Sequence, residues 1–303
     1  MRGTREPSET REVPMTPTDA PTPTIRTVLC PVDFSTLSDR ELDVAVELCE
    51  TFGARLVLHH NRDLAPPAWT RAWEWEQTHA LAEDVEARAD QHMNELLARI
   101  PKSVAAEAVI SRGLVVPVLL HLVDQLPADL LVLGSHGWAT EEHASVADRI
   151  IESCPCPVLT IRDCQGEAPC LRLRPADGGV PVLLVPTDFS DSGDRAVRYA
   201  FDLARQLSVR LHLLHVAPKD DAGKLEASRG RLAAMVPADL AGRVDSSVET
   251  GRVTDALVAS ALRLEPGVIV MGRHARGVVR RFFTHDHAQD MLHRARCPVW
   301  FAA

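Results

Sequence analysis

One octapeptide is written twice in this chain, and a chain that repeats itself folds as a repeat. Val28-Leu29-Cys30-Pro31-Val32-Asp33-Phe34-Ser35 returns as Leu183-Leu184-Val185-Pro186-Thr187-Asp188-Phe189-Ser190, each an apolar run closed by an Asp and by a Ser suited to capping a helix. Asp33 and Asp188 stand 155 positions apart. The same shift pairs Asp39-Arg40 with Asp194-Arg195, Ala45 with Ala200, Leu48 with Leu203, Arg55-Leu56 with Arg210-Leu211, and His60 with His215. Two copies of one domain therefore lie in tandem.

The copies match again further on, at a different shift. Gly113 pairs with Gly251 and Gly134 with Gly272, a shift of 138, so the second copy is shorter by 17 residues (155 − 138) between His215 and Gly251. The surplus of the first copy falls around Ala68 to Ile100, a polar, Ala-rich helical stretch bearing Trp69, Trp73 and Trp75 that only this copy has. Cys156-Pro157-Val158 and Cys297-Pro298-Val299 are 141 apart, so after Gly134 the first copy is the shorter by three residues (141 − 138).

A chain of 303 residues suits two domains, at roughly 100–200 residues each. A net charge of −9 argues against a broad basic face for nucleic acid. No apolar run is long enough to cross a membrane, and the N-terminus lacks the pattern of an export signal. Most of the seven cysteines sit in apolar patterns, where a free thiol behaves as a small buried hydrophobe. The reading is a cytoplasmic protein without nucleic-acid or membrane partners.

Residues 1–24, rich in Pro, Thr, Glu and Arg, read as a disordered tail. Residues 25–164 form the first domain, 165–179 a Gly- and Pro-bearing linker, and 180–303 the second domain. Strands and helices alternate in both halves. In the first, strands are expected at Thr27–Val32, Arg55–His60, Ala105–Ser111, Asp129–Leu133 and Val158–Arg162. Ser38 and Glu41 have the spacing of a capping box for the first helix, and Leu81–Ile100 reads as the second. In the second half, helices are expected at Arg195–Gln206, near Lys224–Met235, at Thr254–Leu264 and at Asp286–Arg294. Regular alternation of this kind implies doubly wound parallel sheets with right-handed crossovers.

These residues resemble the universal stress protein family in its tandem form. The likeness rests on a strand closing in Pro-x-Asp-Phe-Ser, a strand ending Leu213-Leu214-His215-Val216, a late strand running into Gly-x-His, and a closing Cys-Pro-Val strand. The resemblance implies two tandem Rossmann-like domains of the adenine nucleotide alpha hydrolase-like kind, each with a five-stranded parallel sheet. It also implies stress-linked expression and pairing of the halves through their last strands, with association into a homodimer and protein partners left open. ATP-binding members of the family resemble one another in an Asp after the first strand and in a loop Gly-x2-Gly-x9-Gly-Ser/Thr around the phosphates. Glycines admit the phosphates to the backbone, and N–H groups at a helix start bind anions.

Measured against that loop, both copies are degraded. The first keeps Gly134, Gly137 and Ser145, but only Trp138 to His143 separate Gly137 from Ala144, and Glu141 and Glu142 add negative charge. The second keeps Gly272 and the spacing, yet Ala275, His285 and Asp286 replace the second Gly, the third Gly and the hydroxyl. Asp286 is better placed as the N-cap of the last helix. The candidate nucleotide residues are thus Asp33, Gly134, Gly137 and Ser145 in the first domain, with Asp188 and Gly272 as a degenerate second set.

Each has a plainer reading, in which Asp33 and Asp188 tie down their own turns. His60 and His215 read as packed histidines, and His136 and His274 as loop-shaping ones. His285-Asp286-His287 with His293 converges poorly for a metal. Cys154-Pro155-Cys156 has the form of a redox or metal pair, although a strand-entrance packing role suits Cys156 better. No nucleophile and base, no metal-activated water and no Walker lysine is discernible.

The expectation is a non-catalytic binding or regulatory module, no enzyme, with no cofactor. The alternative is a nucleotide sensor that holds ATP or another adenine nucleotide in the first domain alone, with or without slow hydrolysis.

Overall fold

Apolar runs without polar alternation suit strands covered on both faces, and the two copies of the octapeptide supply them. The computed structural model describes residues 24–62, 74–135, 146–162, 171–174, 179–217, 222–273 and 297–303. Strand β1 (Thr27–Pro31) lies between β2 (Arg55–Arg62) and β4 (Leu130–Ser135), with β3 (Ala106–Arg112) beyond β2 and β5 (Val158–Arg162) beyond β4, all parallel. The second half repeats this arrangement. There β6 (Val182–Pro186) lies between β7 (Arg210–Ala217) and β9 (Val268–Gly272), flanked by β8 (Val244–Thr250) and β10 (Val299–Ala302).

The halves do not stop at their own sheets. Strand β10 pairs antiparallel with β5, Trp300 facing Leu159, so ten strands run in the order β3-β2-β1-β4-β5-β10-β9-β6-β7-β8. One apolar cluster on each side of the sheet takes residues from both halves: Val28, Leu48, Leu203 and Trp300 on one side, Leu29, Ile150, Ile269 and Phe301 on the other.

The helices are α1 (Thr36–Phe52), α2 (Glu74–Arg99), α3 (Val115–Gln125), α4 (Val146–Ser153), α5 (Asp191–Gln206), α6 (Ala222–Met235) and α7 (Val253–Leu264). Two expectations need correction. The 17 surplus residues do not supply an element unique to the first half: α2 and α6 are counterparts, 26 and 14 residues long, so much of the surplus lengthens a shared crossover helix. Nor do Ser38 and Glu41 form a capping box. Helix α1 starts three residues earlier, with Ser35 as N-cap receiving the Ser38 N–H. Ser38 turns its hydroxyl back to Asp33, and Glu41, one turn further on, is buried.

The segment read as a linker contributes to packing. Leu171 and Leu173 are buried, and the Arg172 backbone donates to the Gly267 carbonyl. Among the described residues no helix is long and apolar enough to cross a membrane.

Candidate functional site

In a doubly wound sheet the crevice opens at the carboxyl ends of the two strands where the winding reverses. Here those strands are β1 and β4 in the first half and β6 and β9 in the second. Asp33 and Asp188 follow β1 and β6, and Gly134 and Gly272 lie at the ends of β4 and β9. The structure thus brings Asp33 and Gly134 to one crevice and Asp188 and Gly272 to the other. Gly137 and Ser145 lie outside the described residues, as do Ala275, His285, Asp286, His287 and His293.

Asp33 is exposed, yet its carboxylate is engaged in its own turn. Its Oδ1 accepts the Ser35 N–H at 3.0 Å and the Ser38 hydroxyl at 2.7 Å, while its own N–H donates to Ser38 Oγ at 2.9 Å. Asp188 is similarly occupied. Its Oδ1 accepts the Ser190 N–H at 3.0 Å and the Ser190 hydroxyl at 2.5 Å, and Ser190 Oγ caps α5 through the Gly193 N–H at 3.2 Å.

Each turn is braced by a couple that the sequence reading treated only as packing. Phe34 and Phe189 hold φ at 62° and 60°, a left-handed region costly for a bulky side chain. Their rings lie 4.2 and 4.3 Å from those of His60 and His215. The histidines are fixed in turn: His60 Nδ1 meets the Val32 carbonyl at 2.9 Å and His215 Nδ1 the Thr187 carbonyl at 2.8 Å. The signal was available, because both residues of each couple recur at the 155 shift.

Above these rings the halves part company. His92 approaches Phe34, with ring centroids 5.1 Å apart. In the second half Arg231 lies 4.4 Å over the Phe189 ring and donates to its carbonyl at 3.3 Å. Burial lowers the His215 pKa from 6.5, Arg231 adding to the effect while the Thr187 carbonyl and Asp188 oppose it.

The residue whose role the sequence pattern did not reveal is Glu41. Only 3% exposed, it lies so close beneath Gly134 that a Cβ there would come within 1.7 Å of its Oε1. Burial pushes its carboxyl up to about 8; the Asp33 carboxylate pushes in the same direction, and the Gly134 N–H, donating to it, opposes both. At neutral pH the crevice floor thus carries a largely protonated acid, Glu41, beside Asp33. Its counterpart at the 155 shift is Ala196. Gly272 is instead closed from below by backbone: a Cβ there would lie 2.2 Å from the Ser192 carbonyl oxygen.

Two linked doubly wound units, each with an acid after its first strand and a glycine at the end of its fourth, define a tandem Rossmann-like protein with paired crevices. Comparison with known proteins narrows the class. The sequence profile of the universal stress protein family matches residues 24–162 and again 181–302. Universal stress protein A homolog 1 of Coxiella burnetii is 25% identical over 136 residues, 44% of this chain and 94% of that protein. The crystal structure of a universal stress protein from Archaeoglobus fulgidus shares the fold at TM-score 0.66 and 19% identity, covering 92% of this chain and 97% of its own. A functionally unknown protein of Pseudomonas aeruginosa PAO1 does so at TM-score 0.58 and 15% identity, covering 93% of each chain. The chain belongs to the universal stress protein family, in a tandem form.

Proposed function

We propose that this stress-response module acts without catalysis, binding or regulating a partner, and that neither crevice grips a triphosphate. The observation that carries the reading is Glu41. Its carboxyl takes up the Gly134 N–H, one of the donors a phosphate would need, and adds a second acid beside Asp33. A phosphate there would have to displace the Glu41 carboxyl from the Gly134 N–H, and leaving a buried polar group without its partner is costly. The sequence of the loop points the same way, through its shortening and through Glu141 and Glu142. In the second half the Ala, His and Asp replacements support the same conclusion.

The experiment is to purify the protein, denature it and assay the supernatant for adenine nucleotide. None should be recovered; stoichiometric release would overturn the proposal.

The exposure of Asp33, against the half-buried Asp188, favours one second reading. In it the first half alone holds ATP or a smaller adenine nucleotide through Asp33, Gly134, Gly137 and Ser145. That reading requires Asp33→Ala to abolish nucleotide retention while Asp188→Ala leaves it unchanged. A slow ATPase would further require turnover above background.

A further inference from the structure

Cys156 has a counterpart in Cys297, but Cys154 stands where the second half has Ala295. A second thiol has thus been set beside a shared one. In the fold it is placed for chemistry: both cysteines are buried, and their sulfurs are 3.4 Å apart in direct contact. The pair sits between the end of α4 and the start of β5, the strand that joins the two halves. Arg273, from the end of β9 in the other half, extends its guanidinium to this corner. It donates to the carbonyls of Ile151, at 3.2 Å, and Cys154, and its Nε donates to Ala302 at 3.2 Å.

We propose that Cys154 and Cys156 are an oxidisable dithiol, which hydrogen peroxide converts to an intramolecular disulfide at the seam between the halves.

The environment assigns the roles. The Cys154 thiol is lowered from 9.0, first by the hydrogen bond from Cys156 and also by the Arg273 charge, against an opposing desolvation. Cys156, which supplies that hydrogen bond, is raised. Cys154, the lowered thiol of the contact pair, is assigned the attack in this proposal, because nucleophilicity resides in the thiolate form. Its sulfur attacks one peroxide oxygen, the O–O bond breaks, and the products are a sulfenic acid and hydroxide, which takes up a proton to become water. The Cys156 thiol then attacks the sulfenic sulfur; the S–O bond breaks, the S–S bond forms, and a second water leaves. Two thiols are oxidised by two electrons, and one peroxide is reduced to two waters. Cys30 and Cys49 serve as internal controls. Both are buried and raised by desolvation, Cys49 to about 12, which disfavours the reactive thiolate.

Trypsin cleaves after Arg149 and Arg162, so one peptide, Ile150–Arg162, carries both residues. The full-length protein is treated with hydrogen peroxide, unfolded, alkylated, digested and weighed. The expected result is a peptide lighter by two hydrogen atoms that resists alkylation and regains both thiols with dithiothreitol, while Cys30 and Cys49 alkylate fully. Cys154→Ala, which copies the second half, should abolish that product. Full alkylation of both thiols after peroxide overturns the proposal. So does capture of either by Cys164 or Cys170, or oxidation to sulfinic acid without a disulfide. The wild-type peptide map decides the matter even if the variant folds poorly.

Discussion

A carboxyl group that folding drives out of water must either find a cation or keep its proton, and Glu41 keeps its proton. Burial and the neighbouring Asp33 hold it near 8 against 4.5 when free. The sign of the linkage follows directly. A folded pKa above the unfolded one means that the native state binds the extra proton, so this residue's contribution is complete below about 4.5 and is lost as pH rises through about 8. The ceiling on the loss is on the order of 3–5 kcal/mol, at 1.36 kcal/mol per unit. Glu41→Gln keeps an acceptor for the Gly134 N–H and has no proton to lose. Urea midpoints of the two proteins measured from pH 5 to 9 should therefore diverge, wild type weakening relative to Glu41→Gln toward the alkaline end. Parallel profiles would show that Glu41 ionises freely in the fold. The sequence did not disclose this residue, because a Glu in the second turn of a helix ordinarily faces water. Only the close approach of Gly134 and the replacement by Ala196 in the sister half mark it as different.

At the level of elements the chain is far more readable, and the places where it misleads are instructive. The apolar runs Val28–Cys30 and Leu183–Val185 could hardly be anything but central strands, and both are buried throughout. Helix ends are harder to read where hydroxyls are abundant. Ser35 and Ser38 are both competent N-caps, and what selects Ser35 is tertiary: the Asp33 turn takes the Ser38 hydroxyl. Likewise α5 begins at Asp191, four residues before Arg195, because Ser190 is fixed by Asp188 and Thr187 by the Phe189 N–H. The two caps differ in quality. The Gly193 N–H reaches Ser190 Oγ at 3.2 Å and that hydroxyl also holds Asp188, whereas the Ser38 N–H is 3.4 Å from Ser35 Oγ. Replacing Ser190 by Ala should cost about 1–2 kcal/mol in urea denaturation, and replacing Ser35 less. Equal costs would mean that the hydrogen bond to Asp188 adds nothing to the cap.

The whole molecule depends on a join that no local pattern encodes. Period and repeat foretell two parallel sheets, and only the family resemblance implies that their last strands pair; that β5–β10 pairing joins strands far apart in the chain, and its direction is antiparallel. Three observations make the join a core feature. The Thr160 hydroxyl donates across it to the Val299 carbonyl at 3.2 Å. Trp300 is fully buried there, edge-on to Phe52 of the first half at 6.5 Å and tilted against Tyr199 at 5.9 Å. Finally, both apolar clusters run through it, so neither half can unfold without exposing part of the other's core. Such coupling predicts one cooperative urea transition for the two halves, reported alike by far-ultraviolet circular dichroism and tryptophan fluorescence. Trp300→Ala removes the largest side chain at the join and should cost about 3–5 kcal/mol. Because the loss falls on the contact between halves, its signature is a separation of the single transition into two, beyond a shift of its midpoint. Were the variant to unfold in one unchanged step, Trp300 would not carry the coupling; were wild type already to unfold in two, the halves would be independent domains that merely touch.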